Sequence, residues 1–282
     1  MPCCFDALSA RLIEQAGFPL TFMSGFAVSA ARLASPDTGL ISYGEMVDQG
    51  RNICEAVKIP VIGDGDTGYG NPVNVKRTVH GYARAGFACV MIEDQQAPKR
   101  CGHTRGKQVV ERSEALVRMR AALDAQAEVR ATGGDILILA RTDAHATHGL
   151  DEAIERARSF AGMGADIAFV EAPRSVEELE RIGEAIPGPK LVNLVEDGDT
   201  PLLSPPAFEA LGFKIAAHPL TLLSAAAGAM RDALGALRER QPCEGLLPFV
   251  DLQELVGFPQ YDEELARYDL ADEDGSGPDT PE

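Results

Sequence analysis

The sequence predicts an α/β protein, a (β/α)8 barrel, and three observations lead there. Short apolar runs of β type alternate along the chain with amphipathic stretches of helical period. The apolar runs are continuous, as in parallel strands buried on both faces. No glycine-rich turn follows the first strand, whereas a doubly wound open sheet would normally carry one there.

The first strand is expected at or before MPCC, because only those residues precede the helix DALSARLIEQAGF; it is short, or the chain begins inside it. Seven further strands are predicted at 19–24 (PLTFMS), 60–65 (PVIGDG), 87–93 (FACVMIE), 135–141 (DILILAR), 166–171 (DIAFVE), 189–195 (PKLVNLV) and 213–217 (FKIAA). Helices are predicted at 6–16, 43–57, 72–85, 111–128, 150–163, 175–185, 205–211 and 219–238. In DEAIERARSFAGMG, residues Ala153, Ile154, Ala157, Phe160 and Ala161 share one face, and Gly162 and Gly164 close the helix. One barrel domain is expected over 1–264. The segment 265–282 is acidic and rich in Gly and Pro, and disorder is expected there.

With 282 residues, 45% of them hydrophobic, the chain can fill one large core. A net charge of −17 argues against nucleic acid or an anionic membrane as partner. No apolar run approaches the roughly 20 residues of a transmembrane helix. MPCCFDALSARL lacks the charged region and apolar core of a signal peptide. The six cysteines are sparse and show no CxxC spacing, so free thiols in a reducing cytoplasm are expected. Of these, Cys3, Cys4 and Cys243 are expected at the surface, and Cys54 and Cys89 in packed positions.

In a barrel the carboxyl ends of the strands share one mouth, where active sites lie. Here those ends carry Ser24 and Gly25, Asp64 and Asp66, Glu93 and Asp94, Arg141 and Asp143, Glu171, Asn193 and His218. Carboxylates crowded at one mouth require a cation among them. Hard oxygens with few His or Cys neighbours suit Mg²⁺, with Mn²⁺ as the alternative. For Asp94 and Asp143, capping of the next helix is an equal explanation. Asp64 and Asp66 are two apart, so an extended strand would point both to one side. Arg141 can grip a carboxylate through two bonds. Ser24, Gly25 and Phe26 follow a strand and offer backbone N–H groups to a substrate carboxylate. A small anionic substrate, held by local cations, is therefore compatible with the acidic chain. His80 and His148 fit surface or packing roles. His145 and His218 lie on the mouth side.

Several segments, in order along nearly the whole chain, resemble the isocitrate lyase/phosphoenolpyruvate mutase superfamily: PDTGL at 36–40, GDGDTGYG at 63–70, IED at 92–94, KRCGH at 99–103 and ARTDA at 140–144. KRCGH resembles the lyase branch. The length and the segments VEDGDTPLLS and GFKIAAHPLT resemble its short members, which act on 2-methylisocitrate and alkylmalates. The resemblance implies a barrel whose last helix swaps between subunits, in a homotetramer of helix-swapped dimers. It implies that Asp64 ligates Mg²⁺ directly and that Asp66, Asp37 and Glu93 hold the metal's waters. Arg141 would bind the 2-oxo acid carboxylate, with Ser24, Gly25, Glu171 and Asn193 also at the substrate. Cys101 would be the proton donor, with Lys99 and His103 on the same loop. The chain has Phe22 where 2-methylisocitrate lyases carry Tyr, and Thr221 lies where the subfamilies differ.

The expected function is a Mg²⁺-dependent carbon–carbon lyase. It would cleave a 2-hydroxy di- or tricarboxylate in a retro-aldol sense, giving a 2-oxo acid and a carboxylate. A thiol on a basic, glycine-flanked loop suits the general acid that protonates the leaving enolate. The alternative is oxaloacetate acetylhydrolase chemistry. A phosphonomutase, including one acting on carboxyphosphonoenolpyruvate, would leave Cys101 without a task. A non-catalytic scaffold would have no need of this constellation.

Overall fold

A computed structural model of the chain describes residues 1–102, 104 and 106–268; position 103 and the segment 269–282, which carry two of the expectations above, lie outside the described residues. Eight parallel strands among them hydrogen-bond in chain order. They are β1 (Cys3–Cys4), β2 (Thr21–Met23), β3 (Val61–Asp64), β4 (Cys89–Glu93), β5 (Leu137–Thr142), β6 (Ile167–Val170), β7 (Lys190–Asn193) and β8 (Phe213–Ala217). A parallel bridge joins Pro2 to His218, the Cys3 N–H donates to His218 O at 3.2 Å, and the His218 N–H donates to Met1 O at 2.8 Å. These bonds connect the first strand to the last and close the barrel. The first strand is indeed short. Cys3 and Cys4 are buried in it, not at the surface, because the strand lies between β2 and the end of β8.

The eight predicted helices form: α1 (Ala7–Gln15), α3 (Tyr43–Ala56), α4 (Pro72–Arg84), α5 (Arg112–Ala131), α7 (Leu150–Met163), α8 (Val176–Ala185), α9 (Pro205–Ala210) and α10 (Thr221–Arg238). Their starts are written in the sequence. Asp6 and Ser42 build capping boxes on α1 and α3, and Asn71 precedes Pro72 at the start of α4. Four more helices are present: α2 (Gly25–Leu33), α6 (Ala144–His148), α11 (Phe249–Val256) and α12 (Phe258–Ala266). Leu265 and Ala266 thus belong to α12 and not to the tail expected from 265. The chain divides into two compact units, Met1–Met230 with all eight strands and the segment from Arg231 onward. No described helix is long and apolar enough to cross a membrane.

Side chains alternate across a strand with period two. Phe22, Ile62, Cys89, Met91, Leu139, Ile167, Phe169 and Leu191 belong to one cluster inside the barrel. Val61, Val90, Ile92, Ile138, Ala140, Ala168, Val170 and Val192 face the helices instead. Continuing each inward series by two residues reaches Ser24, Asp64, Glu93, Arg141, Glu171 and Asn193. The same alternation that fills the lumen with apolar side chains therefore ends it with a polar layer at the mouth.

The end of β3 is fixed from outside the barrel. Tyr82 of α4 is fully buried, stacks on Phe87 at 4.7 Å between centroids, and donates its hydroxyl to Asp64 O at 2.6 Å. Tyr82→Phe keeps the ring and removes the donor, and is expected to lower the unfolding free energy by about 1–2 kcal/mol. Urea unfolding measures this. An unchanged midpoint would mean that the bond contributes nothing.

Candidate active site

A cavity opens at the carboxyl ends of the strands. Asp37, Asp64, Glu93, Glu171 and Asn193 line its floor and walls, with Arg141 among them. Ser24 and Phe26 lie at one side, and Lys99, Arg100, Cys101 and Gly102 cover it from the loop after β4. Thus most residues singled out in the sequence meet in one place. Gly25, Asp66, Asp94, Asp143 and His218 do not line the cavity. Gly25 and Asp66 stand directly behind it.

Gly25 opens α2, which Ser24 caps by accepting from the Ala27 N–H at 3.4 Å. The Gly25 N–H donates to Asp64 Oδ2 at 3.1 Å, so it serves Asp64 rather than an incoming carboxylate. A Cβ at Gly25 would stand 2.5 Å from that oxygen, which is why a residue without a side chain is needed there. Strand β3 ends at Asp64, and Asp66 adopts φ 48° in the turn beyond it. The two acids are therefore not consecutive on one face of a strand, as their spacing suggested. The Asp66 N–H donates to Asp64 Oδ1 at 3.1 Å instead.

Lys99 is the cation among these acids. Its buried ammonium hydrogen-bonds Asp37 and lies 2.7 Å from Asp66 Oδ1, close in charge though not aligned as a hydrogen bond. Burial opposes its charge, but Asp66, Asp64 and Asp37 together hold Lys99 well above the ordinary lysine range. Burial pushes the Asp66 carboxyl up to about 7, against the pull of Lys99. Burial also raises Glu93 well above the usual carboxylate range, with Arg141 opposing.

The donor set fits a hard divalent cation. It is oxygen throughout, Glu93 Oε1 is buried without a hydrogen-bond donor, and the acids have already drawn in an ammonium. Among the described residues no three His, Cys, Asp or Glu side chains close on one point as a ready metal cage. That spread suits Mg²⁺, which keeps several waters and takes one or two carboxylates directly.

Arg141 is buried and already engaged. Asp143 takes its Nε at 2.8 Å and its Nη2 at 3.0 Å, Glu93 lies 3.3 Å from Nε, and Glu171 lies 3.6 Å from Nη1. Burial opposes its charge, and Asp143, Glu171 and Glu93 hold it far above the ordinary range. The internal ion pair is thus present, and the guanidinium still lines the cavity. Asn193 donates to Glu171 Oε2 at 3.2 Å.

The loop is tied down by its backbone. The Cys101 N–H donates to Asp37 O at 3.1 Å, and Gln95 bonds both the N–H and the carbonyl of Arg100. Gly102 lies flush against the floor: a Cβ there would stand 2.2 Å from Glu171 Oε1 and 2.5 Å from Arg141 Nη2. Gly106 adopts φ 82°. His218 does not line this cavity; its Nδ1 lies 4.0 Å from Glu196. His145 is buried between Ala172 O and Glu178 Oε1.

Sequence spacing missed the layer beneath. Asp94 accepts from Thr142 Oγ1 at 2.6 Å, from the Asp143 N–H at 2.9 Å and from Arg156 Nη1 at 3.0 Å. Arg118 donates to the carbonyls of Glu93 and Gln95, each at 2.9 Å. The signal available was an arginine among the buried residues of two helices, Arg118 of α5 and Arg156 of α7.

In barrel enzymes the active site lies in a polar layer of this kind, at the carboxyl ends of the strands. A family model for phosphoenolpyruvate phosphomutase matches residues 1–238. The 2,3-dimethylmalate lyase of Eubacterium barkeri is 42% identical over 261 residues, covering 91% of this chain and 89% of that one. The solved structure of an oxaloacetate acetylhydrolase with 3,3-difluorooxalacetate is similar at a TM-score of 0.89, with 37% identity over 94% of this chain and 90% of that one. That of a phosphonopyruvate hydrolase with oxalate and Mg²⁺ is similar at 0.82, with 29% identity over 95% and 93%. The chain belongs to the phosphoenolpyruvate mutase/isocitrate lyase superfamily, on its isocitrate lyase-like side.

With no metal bound, the raised Asp66 carboxyl sets a pH dependence. The native state keeps a proton up to about pH 7 that the unfolded carboxyl releases near pH 4. Stability should therefore fall as pH rises through that interval, and Asp66→Asn should flatten the fall. Urea unfolding in EDTA at several pH values tests this; an unchanged slope in the variant would refute it.

Proposed function

We propose that the chain is a Mg²⁺-dependent carbon–carbon lyase. Its substrate is a 2-hydroxy dicarboxylate with alkyl substituents, and its products are a 2-oxo acid and a second carboxylate. The observation that carries this reading is that Cys101 lines the same cavity as Asp64 and Arg141.

Asp64 and Glu93, with Asp37 and Asp66 around them, are the residues that would hold the ion. When bound, Mg²⁺ lowers the pKa of the substrate's 2-hydroxyl and neutralises the adjoining carboxylate. Charge supports the need for it. Among the described residues the cavity is lined by four carboxylates, those of Asp37, Asp64, Glu93 and Glu171, against three cations, Lys99, Arg100 and Arg141. A dianionic substrate would add to that excess. Arg141 orients the carboxylate that stays with the 2-oxo acid, and Ser24 and Asn193 offer it hydrogen bonds. Glu93, whose Oε1 is buried without a donor, takes the proton of the 2-hydroxyl. The O–H electron pair becomes the new C2=O bond as the C2–C3 bond breaks, and the C2–C3 pair passes to the departing carboxylic acid as an enolate. Cys101 donates its proton to that carbon, and Lys99 and Arg100 stabilise the thiolate left behind. The loop excludes water so that the enolate meets the thiol first.

The walls support alkyl groups over a third carboxylate. Phe22, Phe26, Met91, Phe169, Pro219 and Leu220 are apolar, and Lys99 and Arg141 already serve internal acids. The runner-up is hydrolysis of oxaloacetate to oxalate and acetate, favoured by the likeness to the acetylhydrolase.

A panel of 2,3-dimethylmalate, 2-methylisocitrate, isocitrate, oxaloacetate and phosphonopyruvate separates these activities. We expect 2-oxo acid release from the alkylmalate, abolished by EDTA and restored by Mg²⁺. Cys101→Ser should lower kcat about 10²-fold or more. Oxalate formed from oxaloacetate would favour the hydrolase, and full activity in Cys101→Ser would remove the thiol from the mechanism.

We also propose a helix-swapped homotetramer. A groove of about 560 Å³ beside β8, lined by Phe18, Leu20, Leu194, Phe208 and Phe213, is left apolar. Phe249, Val250, Phe258 and Tyr261 of α11 and α12 are exposed in the single chain. A second copy's helices would cover the groove and bury these side chains. Light scattering should give four chains per particle, and Phe249→Asp with Phe258→Asp should reduce that number. A monodisperse monomer would refute the assembly.

A further inference from the structure

One carboxylate connects the floor of the cavity to the loop above it. The side chain of Asp143 is fully buried, and both its oxygens take the Arg141 guanidinium, at 2.8 and 3.0 Å. Its Oδ1 also lies 3.3 Å from Lys107 Nζ, on a side chain only 4% exposed. Lys107 stands at the far end of the loop that carries Cys101, and its ammonium also donates to the Gly102 carbonyl. Gly102 in turn rests on Arg141 and Glu171 without room for a Cβ. Arg141, Asp143, Lys107 and Gly102 therefore close a ring in which two members belong to the barrel and two to the loop.

Asp143 is itself held in place. Its N–H donates to Asp94, and Asp94 is fixed by Thr142 and by the buried Arg156. Arg156 is anchored further by Glu152, at 2.7 Å, and by Val110 O, at 2.8 Å. Nothing in the proposed reaction uses Asp143 directly. It does not line the cavity.

We propose that Asp143 is a positioning residue that couples the grip of Arg141 on the substrate to the seating of the Cys101 loop, through Lys107. The inference rests on the reading above in taking Arg141 and Cys101 as the groups that meet the substrate. One negative charge is shared by two cations. When Arg141 turns part of its charge toward a substrate carboxylate, Asp143 is left with more for Lys107. Filling the floor thus tightens the loop, and the proton donor is seated when there is something to protonate.

The rate of Cys101 alkylation by iodoacetamide, read by peptide mass spectrometry, reports loop seating. In the wild type, oxalate with Mg²⁺ should slow it. In Lys107→Met the ligand-free rate should rise about tenfold, the size of one buried charge-assisted contact. Protection by oxalate should be largely lost although calorimetry still shows oxalate binding, and kcat should fall more than oxalate affinity. Lys107→Arg should restore protection. Asp143→Asn should match Lys107→Met, and the double variant should be no worse than either single one.

Wild-type alkylation and protection in Lys107→Met, or additive effects in the double variant, would overturn the coupling. If Asp143→Asn does not fold, the two Lys107 variants decide alone. If oxalate fails to bind the wild type, the reading of the site falls, while the ligand-free alkylation rates still judge the link between Lys107 and the loop.

Discussion

Burying carboxylates around one cavity is possible only if cations are buried with them, and everything at this mouth follows from that. Asp37, Asp64, Asp66, Glu93, Asp143 and Glu171 are all buried. Unpaired, such groups would cost several kcal/mol each. The chain answers from two directions. Arg141 rises from β5 within the barrel, and Lys99 and Lys107 descend from the loop after β4. The loop is therefore part of the charge balance of the floor and not merely a cover over it. Arg156 does the same one layer lower, against Asp94.

Period and polarity carried most of the fold. Each apolar run was short and continuous, and the strands in the structure fall within a few residues of those runs. The inward parity of Leu139 and Arg141, or of Phe169 and Glu171, is also readable, because alternation along a strand needs no tertiary knowledge. Helix α2 was not readable. It begins with Gly25, follows β2 without a linking loop, and its start depends on the Ser24 cap.

The site was legible as a list of strand ends and not as a set of pairs. That Asp66 sits in a turn at positive φ, that the Gly25 N–H serves Asp64, and that Asp143 takes both Arg141 and Lys107 are facts of packing between distant segments. Spacing along one chain holds no record of them. The burial of Cys3 and Cys4 is of the same kind: it follows from barrel closure, which brings His218 beside the first residues. Fold alone does not choose among a lyase, a mutase and a hydrolase on such a barrel. The thiol on the loop and the apolar walls bear on that choice.

Four of the six apolar wall residues have a location of their own. Phe22 and Phe26 lie on β2 and the first turn of α2, and Pro219 and Leu220 directly follow β8. These elements flank the seam at β1, away from β4 and β5 where Glu93 and Arg141 stand side by side in register. Met91 and Phe169 stand among the charges, so the arc at β4–β6 reads both shape and charge, while the arc at the seam reads shape alone. A lineage built on this plan is free to change the bulk it accepts by substitutions near the seam, one at a time, without ever passing through an ancestor whose buried ion pairs are broken.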